Sequence, residues 1–319
     1  MQASFLMENQ GFILSNDISR SRALAILENS ERLGIANIGI ISRDFKDIYQ
    51  DLTNYFTKII LDAPCSGSGM FRKSEAVKDD WSYEKVLRCQ KTQKELILMA
   101  YQMLAPNGEM VYSTCSFSKE EDEDVVKYLL DNTDAEIIKI TSNPLYYKGK
   151  DGLGIHLFPH LFPGEGHYIC LIKKPNVGKR RQIKTPKFVP YKLDMDFEGF
   201  QPYTFNDHAL LVRKEGMNFI DYKYLVRVGL EVLELSNKRI SRYGVGFAHF
   251  IHSFGCEFSL SKEEVRRYLS GEGLTNPKTI QKGFVWLTYM GLGVDIAYFD
   301  GKMIKNHYPK HLRKLIQKF

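Results

Sequence analysis

The chain has 319 residues, of which 44% are hydrophobic and 26% charged, with a formal net charge of +6 and a pI of about 8.8. That length exceeds what one compact core usually takes, so two or three domains are expected, and the ordinary balance excludes a disordered chain. The mild positive charge permits an anionic partner without requiring one, and no apolar run approaches the ~18 residues of a membrane span.

The opening segment MQASFLMENQG has neither the basic start nor the apolar core of a signal peptide. Gly11 to Leu14 predicts a strand ending at Asn16-Asp17, and Ser19 to Leu33 a helix with Gly34 placed to stop it. Ile38 to Ile41 predicts a second strand, followed by Asp44. Lys58 to Ala63 (KIILDA) predicts a third, continuous and apolar as a buried parallel strand should be. Tyr83 to Leu104 reads as a long helix closed by Ala105-Pro106-Asn107-Gly108, and Glu109 to Ser113 as the next strand. Ser118 with Glu121 has the spacing of a capping box opening a helix through Leu130. Ala135 to Ile140 and Tyr168 to Ile172 predict the closing strands.

Strand-helix alternation of this kind implies a doubly wound α/β sheet. Such sheets bind ligands at the carboxyl ends of their strands, and Asp17, Asp44, Asp62 and Cys115 fall at or just past such ends. Lys173 to Lys187 (KKPNVGKRRQIKTPK) is rich in Lys and Arg, lacks acids and reads as a basic linker. Beyond it come a short mixed unit to about Tyr243, strand-like FVWLTYMGLGVDIAYFDG, and a basic tail.

Five cysteines (Cys65, Cys89, Cys115, Cys170 and Cys256) are an odd, dispersed set with no CxxC pair. They make a poor disulfide framework and no zinc site, so reduced thiols in a cytoplasmic protein are expected. His156, His160 and His167 lack metal spacing, and no metal is expected. The run from Glu120 to Asp124 reads as a solvated helix start, where negative charge suits the helix dipole.

Two segments place a cysteine just beyond an apolar strand in a turn of small and polar residues: LDAPCSGSGMFRK (Leu61 to Lys73) and YSTCSFSKEEDEDVV (Tyr112 to Val126). Pro64-Cys65-Ser66-Gly67 and Ser113-Thr114-Cys115-Ser116 resemble the paired motifs of bacterial ribosomal-RNA (cytosine-5) methyltransferases. The likeness extends to Asn16-Asp17-Ile18-Ser19, Met70-Phe71-Arg72-Lys73, Pro159-His160, Gly164-Glu165-Gly166-His167 and Lys305-Asn306-His307-Tyr308-Pro309-Lys310.

The resemblance implies S-adenosylmethionine as cofactor and RNA as partner, with small-subunit (16S) ribosomal RNA as substrate. It gives Cys115 the role of nucleophile, Cys65 that of assisting product release, and Asp62 that of holding the cytosine edge. The chemistry calls for such a thiol: cytosine C5 is too electron-poor to take a methyl group until a thiolate adds at C6. Asp17 would bind the cofactor ribose and Asp44 lie near the adenine, with Asp62 also at the cofactor. Arg72, Lys73, Lys305, Lys310 and Arg313 are the candidate RNA contacts, and Trp81 is read as packing.

The implied architecture is a Rossmann-like methyltransferase domain at 1–174, a linker at 175–190, a small α+β domain at 191–245 and a PUA-like RNA-binding end at 246–319. The family's first strand and glycine-rich cofactor loop have no counterpart here. The expectation is therefore a sheet lacking its middle strand, with two strand edges left unpaired, and a missing N-terminal segment or chain as a further partner. Val294 to Ala297 and His311 also depart from the family's C-terminal pattern. An RNA-binding protein without activity and a transfer-RNA methyltransferase stay open as alternatives, as does the oligomeric state.

Overall fold

The computed structural model describes every residue except 142, 276–280, 311 and 314–319; His311 and the end of the basic tail lie outside the described residues. Contacts group the chain into two compact units, residues 1–43 with 183–319, and residues 44–182. Among the described residues no helix is long and apolar enough to cross a membrane.

The first unit begins with α1 (Gln2–Leu6), β1 (Ile13–Asn16), α2 (Arg20–Arg32) and β2 (Ile38–Ile41). Gly34, at φ +63°, turns the chain after α2, a left-handed position that suits a residue without Cβ. β1 and β2 pair in parallel from Ile13 opposite Ile38 to Asn16 opposite Ile41. Every residue of β2 is buried, and Ile38 and Ile40 pack with Ala23 and Ile35.

Residues 44–182 contain β3 (Phe56–Asp62), α3 (Glu75–Asp79), α4 (Tyr83–Met103), β4 (Leu104–Thr114), α5 (Glu123–Asn132), β5 (Glu136–Ile138), β6 (Tyr147–Lys148), β7 (Ile155–Leu157) and β8 (His167–Lys173). Ser82 starts α4 by accepting a hydrogen bond from Lys85 N. The sheet runs β3-β4-β8-β7-β6, with β5 also on β8. β3 and β4 are parallel, with Leu61 opposite Tyr112 and Asp62 opposite Ser113, so their carboxyl ends finish side by side. The core beneath them joins Leu61, Ile97, Met110, Tyr112, Leu129 and Ile172.

The remainder of the first unit carries β9 (Val189–Pro190), β10 (Phe200–Phe205), β11 (His208–Arg213), β12 (Leu225–Val228), β13 (Leu230–Ser236), β14 (Arg239–Tyr243), α6 (Val245–Phe250), β15 (Glu257–Ser259), α7 (Lys262–Ser270), β16 (Leu274–Thr275), β17 (Gly283–Tyr289), β18 (Leu292–Phe299) and β19 (Met303–Lys305). One five-stranded sheet runs β14-β13-β11-β10-β9 and another β15-β17-β18-β19-β16. A capping box between Ser261 and Glu264 opens α7.

Two features bear on the strand pattern. Among the described residues β1 and β3 each end their sheet, β1 beside β2 alone and β3 beside β4 alone, and β2 pairs on its far side with β12, antiparallel. β3 is consequently not the buried strand that KIILDA predicts: Ile60 is 68% exposed and Thr57 and Lys58 are exposed as well. An apolar run gives a buried strand only where neighbours cover both of its faces and edges.

Candidate active site

The parallel register of β3 and β4 brings two loops together at their carboxyl ends. Ala63 N donates to Ser113 O at 2.9 Å, and Gly69 N to Cys115 O at 2.7 Å. A Cβ at Gly69 would lie 2.7 Å from that same carbonyl oxygen, so only glycine permits the approach. Phe117 N donates to Ser68 Oγ at 2.8 Å. These bonds hold the sulfurs of Cys65 and Cys115 in contact, 2.8 Å apart, though the residues are 50 positions apart in the chain. Both are half-buried free thiols.

The pair is polarised. Its hydrogen bond drives the Cys65 thiol well above the usual thiol range, and burial adds to the rise. The same bond lowers Cys115, against burial and the nearby Asp62 carboxylate, which both push it up. The two sulfurs therefore share a proton across the contact, with Cys115 lowered and Cys65 raised by it.

Beneath the sulfurs lies Glu121, fully buried. It accepts from Ser66 N at 2.7 Å, from Ser66 Oγ, from Ser116 Oγ at 2.7 Å and from Gln93 Nε2 at 3.1 Å. Gln93 Nε2 also donates to Pro64 O at 2.8 Å. One carboxylate thus ties both cysteine loops to each other and to α4. Beside it Thr114 Oγ1 donates to Asp122 Oδ1 at 2.6 Å, and burial raises the Asp122 carboxyl to about 9. Asp122, Glu123 and His156 converge in the interior, with His156 Nε2 3.0 Å from Glu123 Oε1.

This corrects the reading of the acidic run. Glu121, Asp122 and Glu123 are buried rather than solvated, at 0%, 0% and 6% exposure. Ser118 and Glu121 form no capping box: α5 starts at Glu123, and the Glu121 side chain is spent on the two loops. Glu121 is the site residue that sequence reasoning missed. Its signal was an acid six residues after the second cysteine, masked by acidic neighbours that fit a helix start equally well.

The other expected residues are placed as follows. Asp62 ends β3 and is exposed, within electrostatic reach of Cys115. Asp44 accepts from Lys46 N at 2.9 Å and begins a short 3₁₀ turn. Arg72 and Lys73 are exposed just after the Cys65 loop. Trp81 meets Phe71 edge-on with ring centroids 6.2 Å apart. In the other unit, Asp17 accepts from Ser19 N and from Arg22 Nε, at 2.8 Å each. Lys305 lies 3.6 Å from Asp300, Lys310 is exposed, and the Arg313 guanidinium donates to Tyr308 O and Asn306 Oδ1 at 2.7 and 2.9 Å.

Residues 2–173 match the family model described as 16S rRNA methyltransferase RsmB/F. The chain belongs to that family. Residues 257–314 match the model of the methyltransferase RsmF PUA domain, so the Rossmann-like methyltransferase fold is followed by a PUA-like end. Among relatives, ribosomal RNA small subunit methyltransferase F of Cronobacter sakazakii is 29% identical over 98% of this chain and 70% of its own length. That of Vibrio vulnificus is 28% identical over 98% of this chain and 71% of its own. Of solved structures, the crystal structure of PH0851 aligns with a TM-score of 0.51 at 26% identity, covering 54% of this chain. The chain spans 39% of that protein's length.

Proposed function

We propose that this chain transfers a methyl group from S-adenosylmethionine to C5 of a cytosine in RNA, with small-subunit ribosomal RNA as substrate and Cys115 as nucleophile. The observation that carries the reading is the 2.8 Å contact between the Cys115 and Cys65 sulfurs at the ends of two parallel strands.

Addition of the Cys115 thiolate to cytosine C6 makes C5 nucleophilic. Asp62, exposed at the end of β3, would hold the base at N3 or its exocyclic amine as electron density builds there. Loss of the C5 proton after methylation expels the thiolate, a release assisted by Cys65. Glu121 keeps both loops in register without touching the base. When bound, the cofactor supplies the electrophilic methyl group. On the family's pattern Asp17 would accept from the ribose hydroxyls and Asp44 from the adenine amine, each a little past the end of a strand. Arg72 and Lys73 beside the site, with Lys305, Lys310 and Arg313 at the PUA-like end, would meet phosphate.

Two features of the fold favour a second reading. The free edge of β3 and the exposed Ile60 suit a further strand carrying the family's glycine-rich loop, supplied by another segment or chain. Without it, the chain would serve as an RNA-binding protein.

The test is a calorimetric titration of S-adenosylmethionine followed by methyl transfer to small-subunit ribosomal RNA. One-to-one binding and label at C5 are expected. Cys115→Ala should abolish transfer, and Cys65→Ala should leave an enzyme-RNA adduct that persists on a denaturing gel. Retained turnover in Cys115→Ala would sink the assignment, and RNA binding without cofactor binding would favour the second reading.

A further inference from the structure

The two sulfurs of the site have a second chemistry that methyl transfer does not use. They touch at 2.8 Å, and a disulfide needs ~2.0 Å, so closure asks less than an ångström of movement. The loops are already held in register by Glu121 and by Gly69 N on Cys115 O. The arrangement is that of a reactive thiol beside a resolving one: whichever sulfur is oxidised has the other within 2.8 Å, and the shared hydrogen bond lowers Cys115. Both sulfurs are half-buried rather than sealed in, so a small oxidant has access. Two of the other thiols offer less. Cys170 is fully buried, with its thiol pushed up to about 12 by burial, and burial also raises Cys89.

We propose that Cys115 and Cys65 form a hydroperoxide-sensitive modification site, in which oxidation of Cys115 is resolved by Cys65 into a disulfide that closes the active site until a dithiol reopens it. The Cys115 thiolate attacks the terminal oxygen of hydrogen peroxide. The O–O bond breaks, hydroxide leaves, and sulfur loses two electrons to become a sulfenic acid. The Cys65 sulfur, giving up its proton, then attacks the Cys115 sulfur; the S–O bond breaks, the S–S bond forms and a second hydroxide departs. With the two thiol protons, the balance is two thiols and one peroxide to one disulfide and two waters. A dithiol reverses it by thiol-disulfide exchange. The consequence for catalysis rests on the methyl-transfer reading above; the modification itself does not.

The experiment treats the reduced full chain with hydrogen peroxide and follows free thiols, intact mass and disulfide-linked peptides. The expected result is loss of two thiols and two hydrogens, a link mapped between Cys65 and Cys115, and full return with dithiothreitol. Cys65→Ser should accumulate a dimedone-reactive sulfenic acid on Cys115, and Cys115→Ser should slow oxidation of Cys65 roughly tenfold or more. Irreversible oxidation of Cys115 without a link, or a link to Cys89 instead, would overturn the proposal. Because the readout is thiol state, failure here is distinct from failure of methyl transfer, whose assay on reduced protein stands alone. In an active chain, transfer should vanish with the disulfide and return with dithiothreitol.

Discussion

β3 and β17 are both seven-residue strands rich in apolar side chains, FTKIILD and GFVWLTY. Their fates differ. β17 lies between β15 and β18, and its Val285 and Leu287 are fully buried. Among the described residues β3 has a neighbour on one side alone, and its Ile60 is 68% exposed. Composition sets which residues are able to be buried, while the number of neighbouring elements sets which are. The two regions also use buried acids differently. Near β17, Asp295 accepts from Tyr268 OH at 2.7 Å and Ile296 N at 2.8 Å and so ties α7 to β18. Near β3, Glu121 gathers donors from three separate segments and ties the two cysteine loops together.

The largest effect is expected from breaking that difference at Glu121. Glu121→Ala would leave the buried donors of Ser66, Ser116 and Gln93 unpaired, at a cost of about 3–5 kcal/mol to residues 44–182. The two tryptophans of the chain make this readable, since Trp81 reports one unit and Trp286 the other. In denaturant, the Trp81 transition should move to lower concentration while that of Trp286 stays. Equal movement of both would show that the cost is not local to the cysteine loops.

Asp295 sharpens the comparison from the other side. Burial raises its carboxyl from 3.8 to about 6. A raised carboxylate pKa means the folded state holds the proton longer than the unfolded one. Its contribution is therefore most favourable below pH 3.8 and is lost as pH rises through about 6. The span corresponds to about 3 kcal/mol. Asp295→Asn keeps the shape and removes the titration. The difference in stability between wild type and variant, followed through Trp286, should change across that window and be level above it. A difference independent of pH would show that Asp295 titrates alike in the folded and unfolded states.

The alternation of elements, the carboxyl ends of β3 and β4 and the two cysteine loops were legible in the sequence, because local pattern and turn residues specify them, whereas Ala105 to Gly108, read as a turn, belong to β4. The β4 end and the α4 boundaries agree with the structure to within a residue. What was not legible depends on contacts between distant segments. Glu121 looks like any helix-start acid until Ser66, 55 residues away, is seen to donate to it. His156 lacks metal spacing in the chain, yet it lies beside Asp122 and Glu123, because β7 returns to the start of α5. The edge position of β3 likewise follows from which strand stands next to it, a property its own seven residues do not carry.

The smallest expected effect tests that last point. At an unpartnered edge, Ile60→Lys removes little buried apolar area and adds a charge that discourages pairing between sheets, so stability should change by less than about 0.5 kcal/mol. The same change at Val285, in the middle of its sheet, would bury an unpaired charge and unfold that region. Denaturant unfolding of Ile60→Lys, read through Trp81, separates two states of the edge. A negligible change means the edge faces solvent, and the variant should then self-associate less in sedimentation. A loss of several kcal/mol would mean that Ile60 is covered in solution by a second strand, and β3 would have the two-sided burial its apolar run predicts.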